Sequence, residues 1–283
     1  MVEQRSARLK QLETDLPEGM LVDAAWLEAK GIPSNLRSYY VKNGWLEQPA
    51  RSVYRRPRGS LSWQQVVISL QTLLQTPLTV GGRTALELQG FAHYLSHETK
   101  TIHLYGPSKP PNWLNKLKLP QRFAYHNSET LFRNDPITYG LGSFAWDVST
   151  GKGRDLNRFQ GGGLAELSWG QWNWPLTLSQ PERAFLEMLD ELPRHESFHQ
   201  ADMIMQGAVN LSPRRLQKLL DDCDSIKVKR LFFFFADRHK HAWLKRLDKQ
   251  TIDLGKGKRM LVKGGRFDPV YLITVPEDLD ANY

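Results

Sequence analysis

Cysteine is almost absent from this chain of 283 residues, since Cys223 is the only one. A single cysteine cannot form an intrachain disulfide, and it excludes metal centres that are built from several thiolates. We therefore expect a reducing, cytoplasmic setting. Carboxylates surround Cys223 in "LLDDCDS" and disfavour its thiolate form, so we do not expect this residue to act as a nucleophile.

Long apolar runs are missing as well. The most apolar run covers residues 231–236, far below the roughly 20 residues that a membrane-spanning helix needs. The first residues, "MVEQRSARLKQLETDL", have no apolar segment after their charges, so we expect no secretory signal. Phosphate loops and the G-x-S-x-G elbow are also absent. We expect no membrane partner and no cofactor, and no motif requires an enzyme.

Positive charge is what the chain has in excess, with 38 Lys and Arg against 30 Asp and Glu and a net charge of +8. Its hydrophobic content of 40% and charged content of 24% are typical of a folded globular protein. A basic protein of this kind favours a polyanionic partner, such as nucleic acid or an anionic membrane surface.

Residues 1–58 have the element order of a winged helix-turn-helix. The sequence predicts helices over 3–16, 23–30 and 34–42, followed by an extended pair at 44–48 and 52–56. Helix, helix, turn, helix and hairpin is the order of that DNA-binding motif. Between residues 30 and 58 there are seven basic residues and one acid, Glu47. We predict that 1–58 forms a DNA-binding domain.

The segment "GIPSNLRSYYVKNGWLE" supplies the candidate recognition helix. On a helical wheel Leu36, Tyr39 and Tyr40 share an apolar face, Ser34 caps the start, and Asn43 with the following glycine stops the helix. An isolated helix of this kind is typical of a solvated surface, but the basic hairpin after it favours DNA. The predicted DNA contacts are Ser34, Asn35, Arg37, Ser38, Lys42, Arg51, Arg55 and Arg56.

The remainder, 61–283, is predicted to be a larger mixed α/β region, which makes the whole chain α+β. Alternation and glycine turns predict a helix over 61–75, a strand, turn and helix from residue 79, and strands in "KTIHLYG" and "QRFAYHN". The Gly- and Trp-rich stretch 151–175 reads as loop. Four helices and then two strands around a glycine turn follow. Because the loop-rich stretch separates these elements from the earlier ones, a further division of the region near 151–178 into 61–150 and 179–283 stays open. The predicted helices cover 181–192, 197–208, 212–223 and 228–238.

A competing motif occurs at "HESFH", His195 to His199, which fits the H-E-x-x-H pattern of zinc peptidases. In that pattern two histidines on one helix bind zinc and the glutamate, here Glu196, is the general base. Pro193 places the motif at a helix start, and the extended pattern fails because Asp202 stands where glycine is needed. A helix-turn-helix protein fused to a zinc peptidase is therefore the alternative hypothesis, and we predict neither a metal site nor a catalytic residue.

A second basic stretch lies between residues 212 and 266, with 16 basic residues against six aspartates. It reads either as a solvated face or as a surface that binds a polyanion or a partner. The residues predicted for this second surface are Lys227, Lys229, Arg230, Arg238, Lys245, Arg246, Lys258, Arg259 and Lys263.

Several strings resemble one family over nearly the whole chain. They include "GWLEQPARSVYRRP", "TVGGRTALELQG", "QPERAFLEMLDEL", "SIKVKRLFFFFADRHKHAWLKRLD" and "IDLGKGKRMLVKGGRFDPVYLITVP". These look like the AbiEi antitoxins of type IV toxin–antitoxin systems. The resemblance implies a winged helix that represses its own operon at inverted repeats in double-stranded promoter DNA, with a monomer or weak self-association that becomes cooperative on DNA.

The resemblance also implies that the C-terminal portion counteracts a nucleotidyltransferase toxin without forming a stable complex with it. The second basic surface would then hold tRNA, the toxin's nucleic-acid substrate, or more promoter DNA. Two classes stay open at this stage: a DNA-binding antitoxin, and a regulator fused to a peptidase.

Overall fold

The computed structural model describes residues 2–91, 100–134 and 163–280, with side chains from residue 7 to residue 279 within those ranges. The part of the predicted loop that covers 151–162 lies outside the described residues. Over the described residues the fold is α+β, with a small N-terminal helical and stranded unit followed by a mixed sheet packed with helices.

The N-terminal unit contains three helices and three short strands. In chain order these are α1 (Val2–Asp15), β1 (Leu21–Asp23), α2 (Ala24–Ala29), α3 (Ser34–Lys42), β2 (Glu47–Ala50) and β3 (Val53–Arg55). The three predicted helices and the hairpin are confirmed. The strands form one antiparallel sheet in the order β1-β3-β2, and strand β1 is the one that the sequence did not predict.

Local side chains set the ends of α2 and α3. Asp23 caps α2, since its Oδ1 accepts a hydrogen bond from the Trp26 backbone N–H at 2.8 Å. The predicted cap of α3 by Ser34 is wrong, because Pro33 takes the N-cap position and Ser34 is already the first helical residue. Asn43 ends α3 as predicted, and the next residue, Gly44, has a φ of 73°.

The N-terminal unit packs directly on the first helix of the next region, α4 (Trp63–Thr72). The Leu21 backbone N–H donates to Ser69 Oγ at 3.0 Å, and both residues are fully buried. Ser62 and Gln65 form a capping box that fixes the start of α4. The packing interactions of the N-terminal unit therefore continue beyond residue 58, and the boundary at 58 stays a prediction.

The larger region is built on one five-stranded mixed sheet. After α4 come β4 (Thr79–Val80), α5 (Gly82–Leu88), β5 (Thr101–Gly106), β6 (Arg122–Asn127), β7 (Leu164–Trp169) and β8 (Trp174–Ser179). Their order in the sheet is β6-β5-β4-β8-β7, with parallel pairing of β5 with β6 and of β4 with β8. A division near 151–178 would cut this sheet between β4 and β8.

The hairpin β7–β8 is a correction to the loop predicted over 151–175. Its strands pair in register from Leu164 with Ser179 to Trp169 with Trp174. Two turn residues with positive φ, Gly170 at 71° and Asn173 at 51°, reverse the chain between them. Strand β8 is buried along its whole length, so its tryptophan and leucines belong to the sheet core.

The C-terminal part packs four helices beside the sheet and ends in a small strand pair. These elements are α6 (Pro181–Asp190), α7 (Phe198–Gly207), α8 (Pro213–Asp222), α9 (Ile226–His239), β9 (Arg266–Asp268) and β10 (Ile273–Val275). All four predicted helices are confirmed. Helix α9 is the central one, since every residue from Val228 to Ala236 is buried. No described helix is long and apolar enough to cross a membrane.

The last two strands are joined by a different turn from the one predicted. The glycines Gly264 and Gly265 precede β9 and do not form the reversal. Asp268 makes the turn instead, because its Oδ1 accepts hydrogen bonds from the backbone N–H groups of Val270 and Tyr271 at 3.0 and 2.7 Å.

Candidate functional site

Helix α3 presents a polar face to solvent. Ser34, Asn35, Ser38 and Lys42 are all exposed, while Leu36 and Tyr40 pack into the core of the N-terminal unit. Serine, asparagine and lysine carry the donors and acceptors that read base edges and bind phosphates. The structure thus brings four of the five predicted α3 contacts to one exposed surface.

Arg37 is the exception, and its predicted place on that surface is wrong. It is only 8% exposed. Its Nη1 lies 2.6 Å from Glu28 Oε2 on α2 and 2.9 Å from the Ile32 carbonyl oxygen. Arginine can be buried where a carboxylate and backbone oxygens receive its donors, and here those acceptors line the junction between α2 and α3.

The hairpin keeps one of its predicted arginines at the surface. Arg51 is exposed in the turn between β2 and β3, next to Ser52, whose φ is 62°. Arg55 is buried, with its Nε 2.6 Å from Glu47 Oε2. Arg56 is directed to the end of α1, where its Nη1 donates to the Glu13 and Leu16 carbonyl oxygens at 3.0 and 3.1 Å. The predicted wing contacts of Arg55 and Arg56 are corrected accordingly.

Two aromatic residues join this face without having been predicted there. Tyr39 is 46% exposed and Trp45 is 44% exposed. The helical wheel assigned Tyr39 to the apolar face, but Tyr40 alone takes the buried position. Nearby polar residues, Ser38 before Tyr39 and Asn43 two residues before Trp45, were the signal that could have suggested exposure.

The H-E-x-x-H motif does not have the geometry of a zinc peptidase. Helix α7 begins at Phe198, so His195 and Glu196 lie in the segment before it and cannot share one helical face with His199. His195 is exposed, and His199 lies 3.6 Å from Asp278. The described residues contain no group of three or more His, Cys, Asp or Glu side chains arranged to hold a metal ion. The helix start alone removes the peptidase hypothesis.

Glu196 instead faces a cleft of about 500 Å³ that includes His103 and His126. Burial raises the pKa of Glu196 to about 7, and Arg83 opposes this shift. Burial, followed by the charge of His126, lowers the pKa of His103 to about 4. At neutral pH the floor of the cleft therefore holds a neutral imidazole at His103 and a carboxyl group near its titration point.

The second basic stretch divides into buried and exposed cations. On α9, Lys229 and Arg230 are buried. Lys227 and Arg238 on the same helix are half-buried and lie beside carboxylates, so the four residues do not form an exposed surface. Lys227 Nζ lies 3.0 Å from Asp190, and Arg238 Nε lies 3.1 Å from Asp202. The exposed members of the predicted set are Lys245, Arg246, Lys258, Arg259 and Lys263.

Arg230 shows what the buried cations do. It is 1% exposed, and its guanidinium donates to the carbonyl oxygens of Leu254 and Gly257 at 2.6 and 2.7 Å. It also lies 3.4 Å from the Leu272 carbonyl oxygen. A guanidinium has five N–H donors, so one side chain can hold together loop segments that lack a hydrogen-bonded ladder.

Comparisons with known proteins found two family models that match parts of the chain. The sequence model of a family described as "Transcriptional regulator, AbiEi antitoxin N-terminal domain" matches residues 5–97. A second, described as "Transcriptional regulator, AbiEi antitoxin, Type IV TA system", matches residues 169–276. The search of curated proteins found no match.

A solved structure has a similar fold. The crystal structure of RV2827C protein from Mycobacterium tuberculosis matches with a TM-score of 0.55 and 14% identity, over 95% of this chain and 90% of the other. At that identity the likeness concerns the fold alone. The two family matches fall on the N-terminal unit with its neighbouring helices and on the C-terminal helices with their strands. The chain belongs to the AbiEi antitoxins of type IV toxin–antitoxin systems, which are transcriptional regulators.

Proposed function

We propose that this antitoxin represses its own operon by placing α3 in the major groove of promoter DNA. The observation that carries the proposal is the exposed polar face of α3, with Ser34, Asn35, Ser38 and Lys42 side by side. A helix of this kind inside a winged helix-turn-helix has the shape and the donors that a major groove admits. The operator contains inverted repeats, to which a monomer or weakly associated antitoxin binds cooperatively.

The hairpin supplies the second contact through Arg51. Its exposed position in the turn suits a phosphate or a narrow minor groove, where negative potential is concentrated. Tyr39 and Trp45 add apolar area beside the polar face, where a thymine methyl group or a sugar can pack. Two buried arginines hold this surface in place through ion pairs: Arg37 of α3 pairs with a carboxylate of α2, and Arg55 of β3 pairs with a carboxylate of β2.

Promoter binding by the full-length protein tests the proposal. Fluorescence anisotropy with a promoter fragment should give an affinity that falls steeply as salt is raised. Lys42→Ala and Arg51→Ala should each weaken binding by about 1–3 kcal/mol. Lys116→Ala is the matched control, because this exposed lysine lies on a turn of the larger region. Unchanged affinity in both N-terminal variants would remove α3 and the hairpin from the interface.

We propose that the exposed C-terminal cations carry the antitoxin activity. They counteract a nucleotidyltransferase toxin without forming a stable complex with it. Lys258, Arg259 and Lys263 are exposed, and Lys258 Nζ lies 5.0 Å from the centre of the Phe267 ring. Exposed cations beside an aromatic ring suit the backbone and bases of a nucleic acid such as tRNA.

A rescue experiment tests this second role separately. A triple variant that changes Lys258, Arg259 and Lys263 to glutamate should fail to protect cells from the toxin while keeping promoter binding. The matched control is Lys116→Glu together with Lys118→Glu, which changes the charge of another exposed segment. Full protection by the triple variant would refute the assignment.

A further inference from the structure

The cleft in the larger region is separate from the DNA-binding surface and has the size of a small-molecule site. Its volume of about 500 Å³ lies within the range of roughly 300–1,000 Å³ that is usual for ligand pockets. Helix α5, strands β5 and β6 and the segment before α7 form its walls, which contribute Arg83, Thr101, Tyr125 and Glu196 among others.

The floor of the cleft is a chain of four titratable side chains. Glu191 Oε1 lies 2.7 Å from His126 Nδ1, and His126 Nε2 lies 2.9 Å from His103 Nδ1. His103 Nε2 then faces Glu196 Oε1 at 3.6 Å. Burial raises the pKa of Glu191, but the hydrogen bond and charge of His126 outweigh it and hold the pKa below its ordinary value. Glu191 is therefore the fixed acceptor at one end.

That fixed end dictates the protons along the chain. An ionised Glu191 requires a proton on His126 Nδ1, so a neutral His126 offers the lone pair of Nε2 and His103 Nδ1 must donate to it. A neutral His103 then presents a lone pair at Nε2 towards Glu196. In this arrangement the proton belongs on the Glu196 carboxyl group.

One carboxyl oxygen of Glu196, Oε2, is buried without a hydrogen-bond donor among the described residues. The residue as a whole is 7% exposed. The nearest cation, Arg83, has its Nη1 3.8 Å away and donates to Glu87 and Gln200. A buried carboxyl oxygen without a donor is costly, and the Glu196 carboxyl group lines the cleft, where it can accept a hydrogen bond from a ligand that carries N–H groups.

The upper walls of the cleft favour different chemical groups on a ligand. Lys100 is exposed at the edge of the cleft and can bind an anion there. Tyr125 lies along one wall, where a flat ring can stack on its side chain. One ligand must therefore have an anionic end, a planar ring and N–H donors at the far end.

We propose that this cleft binds a nucleotide, with an amino-bearing base on Glu196 and its phosphate at Lys100. The proposal concerns a different part of the molecule from promoter binding, and the two can fail independently. A carboxyl group whose pKa is about 7 acts as a carboxylate towards N–H donors or, when protonated, as an acid towards a ring nitrogen.

Isothermal titration calorimetry of the full-length protein tests the proposal with guanosine, adenosine, cytidine and uridine 5′-monophosphates and with inorganic phosphate. At least one amino-bearing nucleotide should bind about tenfold or more tightly than uridine 5′-monophosphate and phosphate, as one hydrogen bond to a charged group predicts. Glu196→Leu should abolish this preference. Lys100→Ala should weaken the binding of every nucleotide, and Lys116→Ala should leave it unchanged.

Lys100→Ala keeps the test decisive if Glu196→Leu fails to fold, because Lys100 is exposed and its loss cannot disturb the core. Absence of measurable binding by the wild-type protein at millimolar nucleotide would overturn the proposal. Equal binding of all four nucleotides and phosphate, or binding that Lys100→Ala leaves unchanged, would overturn it too. Promoter affinity measured in the same preparations separates this outcome from a failure of the DNA-binding assignment.

Discussion

The Arg37 guanidinium fixes α3 against α2, with its Nη1 2.6 Å from Glu28 Oε2. The same nitrogen donates to the Ile32 carbonyl oxygen in the turn between the two helices. The angle of α3 relative to the rest of the motif therefore depends on one buried side chain, and the exposed residues of α3 depend on it in turn.

Replacing Arg37 should destabilise the protein as well as weaken DNA binding. Arg37→Ala leaves the Ile32 carbonyl oxygen without its donor, and we expect a loss of about 1–3 kcal/mol in the free energy of unfolding, measured by urea denaturation. Lys42→Ala should stay within about 0.5 kcal/mol of the wild type, because Lys42 is exposed. An Arg37→Ala protein of unchanged stability with weakened promoter binding would instead place Arg37 at the DNA.

Replacing Arg230 should open the C-terminal loops. In Arg230→Leu the carbonyl oxygens of Leu254 and Gly257 lose their donors, and we expect a loss of about 2–4 kcal/mol in unfolding free energy. Arg259→Leu is the matched control, since Arg259 lies in the same segment with an exposed side chain. Hydrogen exchange should locate the change at residues 254–257. Equal stability of the two variants would contradict a structural role for Arg230.

Gln71 should be as sensitive as an apolar core residue. Its amide nitrogen donates to the carbonyl oxygens of Leu78 and Thr177, and its amide oxygen accepts from the Thr177 backbone N–H at 3.0 Å. Gln71→Leu keeps the volume but leaves these groups of β8 and its neighbour unsatisfied, which should cost about 2–4 kcal/mol. Gln64→Leu, at a less buried position of α4, should have a much smaller effect on the same thermal or urea transition.

Glu196 should make stability depend on pH. Its pKa is about 7 in the folded protein against an ordinary value of 4.5. The folded state thus holds a proton that the unfolded chain has released, and this contribution is lost as pH rises from about 4.5 to about 7. Glu196→Gln removes this pH dependence. The unfolding free energy of the variant minus that of the wild type should therefore rise by roughly 2–3 kcal/mol as pH increases from about 4 to about 8.

His103 shifts in the opposite direction, which makes the comparison of the two proteins necessary. Its pKa of about 4 lies below the ordinary 6.5, so its contribution to stability is lost as pH falls through that range. Because His103 Nε2 lies 3.6 Å from Glu196 Oε1, the difference between the two proteins reports the pair of groups. A Glu196→Gln difference that is flat from about pH 4 to about pH 8 would contradict a pKa of Glu196 that folding raises.

Much of the fold was predictable from the sequence because caps and periodicity agree in it. The start of α2 at Asp23 and the end of α3 at Asn43 follow from capping residues. The hairpin β7–β8 was missed because most of it lies in a glycine- and tryptophan-rich stretch whose composition is typical of a loop. The pairing of β8 with β4 joins segments that are distant in the sequence, and such pairing leaves no local trace in the chain.

The site was less predictable, since charge was taken as a sign of exposure. Arg37, Arg55 and Arg230 are all buried where backbone oxygens or carboxylates receive their donors. Such acceptors come from segments that are separate along the chain, so a helical wheel cannot reveal them. Glu196 was noticed for a zinc motif, while its actual neighbours, His103 and Arg83, lie on other elements.

The position of β8 in the sheet has a consequence for how the protein folds during its synthesis on the ribosome. Val80 pairs with Leu178, so the sheet cannot close until the chain beyond residue 178 has been made. The N-terminal unit packs on α4 through the hydrogen bond of Leu21 to Ser69, a residue that is made long before residue 178. Domains generally fold in order of synthesis, and long-range pairing is slow. We expect a nascent antitoxin to acquire its DNA-binding shape while the remainder of the chain is still unfolded.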